Sequence, residues 1–272
     1  RREALCATNP CGEQPLPAYG SCCLGSLDLT RFVRHPFKPQ AHVDGEALAR
    51  VSAVGVRLLD NVLDITPWPL PAHWVEARAT RRVGLGITGL GDALVMLGLP
   101  YNSQQAREAA ARCMRVVRNA AYAASVRLAK ERGPYPAFEP SALACGTHFV
   151  SRLPTRLRAR IVAQGLRNSH LLSIAPAGSI SVACADNVSS GIEPPFGWAV
   201  TRCSPGQGAP GTPSPLLEDH AWRLHRHLRG RDAGLPPAFL TAGEVAPEDH
   251  LAMVETLAPL VDGAISKTIP IP

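Results

Sequence analysis

Residues 7–29 read ATNPCGEQPLPAYGSCCLGSLDL and hold the side chains best suited to chemistry: Asn9, Cys11 and Glu13 at alternate positions, with Cys22 and Cys23 further on. In an extended segment, side chains two apart point to the same side. An amide, a thiol and a carboxylate would then share one face, with Pro10 and Gly12 shaping the backbone between them. Such a set facing one cavity suits acid–base and thiol chemistry. A polar loop carrying a buried cysteine is the plain alternative on residue types alone.

A second candidate is APAGSIS, residues 175–181. There an apolar run breaks into Pro-Ala-Gly-Ser and presents backbone N–H groups and hydroxyls to which an anion could bind. Glycine lets the main chain approach an oxyanion closely. A simple strand-end turn explains the same stretch equally well.

Other patterns carry less. VGLGITGLG (83–91) contains Gly84, Gly86 and Gly89 as G-x-G-x-x-G. A dinucleotide fingerprint needs a preceding strand and an acidic residue about 20 residues later. Here EARATRR precedes it and a long helix follows, so the glycines are expected to serve close helix packing. His220, His225 and His227 lack the spacing of paired metal ligands on one helix face and are expected on the surface. No G-x-S-x-G elbow is present.

The elements that must position these residues alternate between helices and strands, which favours an α/β class. DGEALARVSAVGVRLLDNVLD (44–64) predicts a helix with an Asp start and apolar Leu48, Val51, Leu58, Leu59 and Val62. Residues 103–134 predict a longer one, capped by Ser103 and ended by Gly133-Pro134. Its inner stripe is Ala106, Ala110, Cys113, Val117, Ala121, Ala124 and Leu128. Residues 170–196 predict a buried strand, a glycine turn and a long loop. Further helices are expected near 215–229 and 247–262, the last leading into a strand AISKTIPI. The stretch 204–215 reads as a surface loop or insertion.

Composition narrows the class. No apolar run of about 18 residues is present, which excludes a membrane-spanning helix. The net charge is +6 with Arg supplying 25 of the 28 basic residues, scattered through amphipathic helices, and aromatics make up only 5%. Nucleic-acid polymers therefore fit no better than phosphorylated small molecules. Eight cysteines and no export signal point to a reducing, cytoplasmic setting. The absence of C-x-x-C leaves a structural zinc site little support. An Arg start and an end at SKTIPIP suggest a segment of a longer polypeptide.

NPCGEQPLPAYGSCCLGSLDL resembles the active-site loop of the ribonucleotide reductase large chain, and its G-E-Q-P-L-P wording is most like the adenosylcobalamin-dependent class. RRVGLGITGLGDAL, GLRNSHLLSIAPAGSIS, DNVSSGIEPPF and DGAISKTIPIP also resemble blocks of that class, in the family's order. The resemblance covers nearly the whole chain and is weakest across 204–245. It implies the second half of a ten-stranded α/β barrel, residues 1–272, with a finger loop through its centre.

On this resemblance Cys11 is the thiyl radical that abstracts the 3′ hydrogen of a ribonucleotide. Glu13 is the base, and Asn9 hydrogen-bonds the ribose hydroxyls. Cys22 is one half of the redox dithiol. Pro176, Ala177, Gly178, Ser179 and Ile180 hold the substrate phosphates, and Pro10 to Gly12 line the substrate. The resemblance also implies a dithiol or thioredoxin-like reductant, an N-terminal barrel half carrying the second redox cysteine, and a possible homodimer. Ala177 stands where Thr is usual and Asp28 where Asn is usual. Cys23 is an extra thiol without an assigned role.

Overall fold

Six consecutive residues, Val83–Thr88, are buried on both faces and form a central strand. The computed structural model describes residues 4–141, 149–201 and 216–271 of the chain. The loop expected at 204–215, with Cys145 and Cys203, lies outside the described residues.

The first elements are β1 (Leu5–Thr8), β2 (Pro15–Pro17) and β3 (Cys23–Asp28), followed by the short β4 (Val33–Arg34) and β5 (His42–Val43). The central strand is β6, and it pairs in parallel with β3 from Cys23↔Val83 to Asp28↔Thr88. On its other side Leu85 N–H donates to Leu171 O at 2.8 Å and accepts, through its carbonyl, from Ser173 N–H. Beyond that, Ile174 N–H donates to Ala264 O and Ser266 N–H to Ile174 O. Four extended segments therefore lie parallel in chain order, 23–28, 83–88, 171–174 and 264–266. Parallel neighbours require long crossovers, and helices covering both faces allow an unbroken apolar strand such as β6. The fold is mixed helix and sheet, with no closed barrel among the described residues.

The glycine motif has a different use from the expected helix packing. Gly84 and Gly86 lie inside β6, so no phosphate-binding loop forms around them. A Cβ on Gly86 would stand 2.3 Å from Ser173 O. Glycine is what lets the neighbouring strand come that close. Gly89, at φ +70°, turns the chain into α3 (Leu90–Met96).

The helices follow their sequence signals closely at the ends. Asp44 caps α1 (Gly45–Ile65) by accepting from Ala47 N–H, and Ser103 caps α4 (Gln104–Arg132) through Ala106 N–H. The expected inner stripe of α4 is buried throughout. On α1 the stripe is rotated. Leu48, Val56, Leu59 and Leu63 are buried, whereas Val51 and Leu58 are 42% and 60% exposed. Two apolar rows compete on that helix, and packing against α4 selects one.

That buried row includes Asp60, which is fully buried and accepts from Arg81 Nε at 2.9 Å, Asn168 Nδ2 at 3.0 Å and Arg167 Nε at 3.3 Å. Arg81 follows α2 (Pro71–Thr80) in the left-handed region. One carboxylate thus ties α1, the end of α2 and the segment after α5 (Thr155–Gln164) together.

After α6 (Gly178–Ala183), β7 (Ala199–Thr201) pairs with β8 (Leu216–Glu218), so α7 (His220–Arg229) starts later than expected, with Asp219 as its cap. His225 is not on the surface. It is 3% exposed, edge-on to Phe37 and Phe239 at 5.1 Å from each. The last helix, α8 (Pro247–Leu257), ends in a 3-10 turn, and beyond 266 the expected strand is not formed among the described residues.

Candidate active site

β1 and β2 form an antiparallel hairpin whose first strand is exposed along its length. Its tip, residues 9–14, closes tightly. Asn9 N–H donates to Gln14 O at 3.1 Å, Gly12 N–H to Asn9 O at 3.0 Å, and Gln14 N–H to Asn9 Oδ1 at 2.9 Å. Gly12 adopts φ +80°, which an L side chain rarely tolerates. The segment is therefore a turn, and the expected shared face of an extended strand does not exist. Curvature separates the three side chains by depth. Cys11 is exposed at the tip, Asn9 is half-buried, and Glu13 is 2% exposed. The oxygen of the Asn9 carboxamide accepts from Gln14 N–H and so helps to hold the turn.

Below the tip, Glu13 O accepts from Ala264 N–H, fixing the hairpin to the edge of the parallel array. Cys22 precedes β3, and burial pushes its thiol well above the ordinary range, with Arg82 opposing and Cys23, Asp262 and Glu13 adding to the rise. The thiol is therefore held protonated. Asp262 accepts from Tyr122 OH, Leu171 N–H and Leu172 N–H. Cys23 enters the strand half-buried against the hydrophobic core, and its carbonyl accepts from Cys22 Sγ at 3.7 Å. Asp28, where Asn was expected, accepts from Thr30 N–H and Thr30 Oγ1 and pairs with Arg31, a role that suits a carboxylate.

The other candidate segment follows directly on the third strand. Pro176 is half-buried, and Ala177 caps α6 at φ +49°. Gly178 is half-buried, and Ser179 and Ile180 are exposed. The expected glycine turn is thus a helix start, whose first N–H groups point out of the helix end. A cleft beside it is lined by Gly178, Asn187, Ser189, Ser190, Phe196 and Asp219. Its walls are tied by Thr88 Oγ1, which meets Ser181 Oγ at 2.6 Å, accepts from Gly191 N–H and donates to Ser189 O. A left-handed alanine is strained by roughly 1 kcal/mol. Ala177→Gly is expected to raise thermal stability, and an unchanged or lower unfolding midpoint would contradict this.

Asp219 meets Asp92 of α3 in the wall of this cleft, and both carboxyls are buried. Burial raises both pKa values, that of Asp219 to about 6. The folded state binds more protons than the unfolded chain, whose carboxyls titrate near 3.9. The pair's stabilisation is therefore complete below about pH 4 and is lost as pH rises through the raised values. Asp92→Asn should remove that decline, making the variant more stable than the parent at pH 8 and not at pH 4. Parallel stability–pH curves for the two proteins would refute the assignment.

Several of these residues carried no sequence signal. Arg82, Asp262 and Tyr122 around Cys22 are separated by up to 180 positions. Lys267 is buried against Glu193 and donates to His250 Nδ1 and to Thr268 O, joining the IEPPF and SKT stretches. His250 Nε2 bonds Ala242 O, so the ring stays neutral.

Parallel strands with helical crossovers, joined to a hairpin that presents an exposed thiol near a buried carboxylate, define a mixed α/β chain. The chain belongs to the ribonucleotide reductase family: the family's sequence profile described as "Ribonucleotide reductase, barrel domain" matches residues 1–272. It is similar to the vitamin B12-dependent ribonucleoside-diphosphate reductase of Mycobacterium tuberculosis (strain CDC 1551 / Oshkosh), 38% identical over 98% of this chain and 37% of that protein. The enzyme of the same name from Thermoplasma acidophilum is 32% identical over 97% of this chain and 33% of its own length. A ribonucleoside-diphosphate reductase subunit alpha from Treponema pallidum is 33% identical over 56% of this chain. The chain thus spans about a third of the length of the relatives that match it throughout.

Proposed function

We propose that this chain is the C-terminal half of the catalytic barrel of an adenosylcobalamin-dependent ribonucleotide reductase, making 2′-deoxyribonucleotides for DNA synthesis. The observation that carries this reading is the hairpin tip: an exposed thiol, Cys11, two residues from a buried carboxylate, Glu13, on a backbone that Asn9 holds. In the complete ten-stranded barrel the hairpin is the central finger. The remaining strands and the second redox cysteine come from outside this segment, which does not turn over alone.

The sulfur-centred radical of Cys11 takes the 3′ hydrogen of the ribose. Glu13 accepts the 3′-hydroxyl proton while the 2′-hydroxyl, protonated by a thiol of the redox pair, departs as water. Cys22 and the second cysteine supply two electrons and two protons and become a disulfide, and Cys11 returns the 3′ hydrogen. A protonated, half-buried Cys22 suits hydrogen donation and resists stray oxidation. Asn9, with Pro10 and Gly12, positions the ribose. Pro176, Ala177, Gly178, Ser179 and Ile180 receive the phosphates through backbone N–H groups and the Ser179 hydroxyl.

Adenosylcobalamin, when bound, supplies the one-electron oxidation of the Cys11 thiol. The tip fits a bulky group: Cys11 is exposed, and nothing lies within 4 Å of the position a Cβ on Gly12 would take. Pro10 to Gly12 are the residues that would face it. A cytoplasmic thioredoxin-like or dithiol reductant restores Cys22, and a homodimer is the expected assembly. The names of the relatives favour diphosphate substrates.

The test is dithiol-dependent conversion of ribonucleotide to deoxyribonucleotide by the full-length enzyme with adenosylcobalamin and no metal-radical subunit. Product formed only when such a subunit is added would overturn the cofactor and keep the chemistry. Cys22→Ser is expected to permit the hydrogen abstraction by Cys11 and to fail at sustained turnover, because a single thiol cannot supply both electrons. Sustained steady-state activity with dithiol would remove Cys22 from the redox pair.

A further inference from the structure

One pocket is lined almost entirely by basic side chains. Its walls are Glu218, Arg223, Arg226, His227 and Arg231, and its volume is about 300 Å³. Arg223, Arg226 and His227 lie three and four positions apart on α7 and therefore share one face. Gly230, at φ +97°, ends the helix and turns the chain so that Arg231 joins them. The cleft beside α6 is a different place. Leu217 and Asp219 line that cleft, whereas Glu218 between them lines this pocket. Successive side chains of a strand point to opposite faces, so β8 stands between the two.

The charges of the lining do not cancel, since three guanidinium groups face one carboxylate. Arg226 donates to Glu218 Oε1 at 3.2 Å and lies over the Trp222 ring, 4.3 Å from its centroid, which holds the guanidinium in place. Arg223 donates to Asp186 O at 2.7 Å and pairs with Asp186 Oδ1 at 2.8 Å, a carboxylate that His220 shares. The Nε of Arg223 is buried and finds no acceptor among the described residues. His227 and Arg231 are exposed, and their side chains make no hydrogen bond or ion pair among the described residues. Arg229 of the same helix differs, because it donates to Phe37 O. A solvated helix face spreads its charges outward. Here they converge on a hollow, where like charges repel unless an anion joins them.

We propose that this pocket binds a di- or triphosphate group, free or carried by a nucleotide, at a site separate from the cleft beside α6. A guanidinium presents paired N–H donors that match phosphate oxygens. Arg226 and Arg231 offer such donors, and the unpaired Arg223 Nε–H adds another. The several charges of a polyphosphate offset the excess of cations. The volume suits a small molecule. A nucleic-acid strand would instead follow an extended groove with bases stacked on aromatic rings, and the Trp222 ring beside this pocket is covered by Arg226. The inference goes beyond the reductase reading and does not depend on it.

Titration calorimetry of the full-length enzyme with inorganic tripolyphosphate is the test, run on the parent, Arg231→Ala, Arg226→Ala and Ser179→Ala. Arg231→Ala is expected to weaken binding about fivefold, the scale of one exposed charge contact, and Arg226→Ala at least as much. Ser179→Ala, in the cleft segment, binds as the parent does. A second arm with a nucleoside triphosphate separates the two sources. Equal affinity supports a site for the phosphate chain alone, and tighter binding with the same arginine dependence supports a nucleotide site. Unchanged affinity in both arginine variants would overturn the proposal. So would a loss confined to Ser179→Ala, which puts the anion in the cleft. An oligonucleotide that needs the same arginines and that tripolyphosphate fails to displace would overturn it in favour of a polymer. The Arg231 side chain is bonded to nothing among the described residues, so its variant still decides if Arg226→Ala does not fold.

Discussion

Cys11→Ala is expected to abolish deoxynucleotide formation in the full-length enzyme and leave nucleotide affinity at the level of the parent. The separation follows from how the turn is built. Its closing bonds run between Asn9, Gly12 and Gln14, and none uses the Cys11 side chain. The thiol is exposed, so truncating it leaves no cavity and no orphaned partner. Alanine has no S–H bond to break, so the first hydrogen transfer has no acceptor and nothing downstream can begin. The check pairs a product assay with calorimetric nucleotide binding. Turnover above background would exclude Cys11 as the radical site, and lost binding would show that the tip shapes the pocket.

Asp60→Ala is expected to lower stability by about 3–5 kcal/mol, the range for breaking a buried ion pair by removing one partner. Asp60 is wholly buried, and Arg81 beside it has 4% of its side chain exposed. Removing the carboxylate leaves the Arg81 guanidinium with the carbonyl of residue 60 and Asp64 as its one carboxylate partner, and Asn168 Nδ2 and Arg167 Nε lose an acceptor. The exposed pair Arg57–Glu131 supplies the comparison. Arg57→Ala should shift stability by no more than roughly 1 kcal/mol. Denaturant titration of both variants decides, and an Asp60 effect as small as that of Arg57 would refute the central role of this carboxylate.

What the sequence made legible follows from how local each signal is. Capping by Ser103 and Asp44 acts within three residues, and the α4 stripe repeats along one element, so both could be read directly. The order of the chemical blocks was also legible, and family membership agrees with it. The strand at 83–88 was missed because its glycines suggest a turn or a packing contact. Their reason is a neighbouring strand about 90 positions later, approaching within 2.3 Å of a notional Cβ. The rotated stripe of α1 has the same origin, since two apolar rows are equal until α4 chooses. Asn9, Cys11 and Glu13 were singled out by type and spacing, yet the shared face was wrong, because Gly12 bends the segment into a turn. Lys267 left no pattern, as its partners Glu193 and His250 come from elsewhere in the chain.

The neighbouring thiols Cys22 and Cys23 share one electrostatic condition. Burial raises the pKa of both, and the Cys23 charge adds to the rise at Cys22. The thiolate is the reactive form of cysteine. A doublet kept protonated on both sides is therefore quiet toward oxidants at neutral pH, and a reaction at either sulfur has to bring its own base.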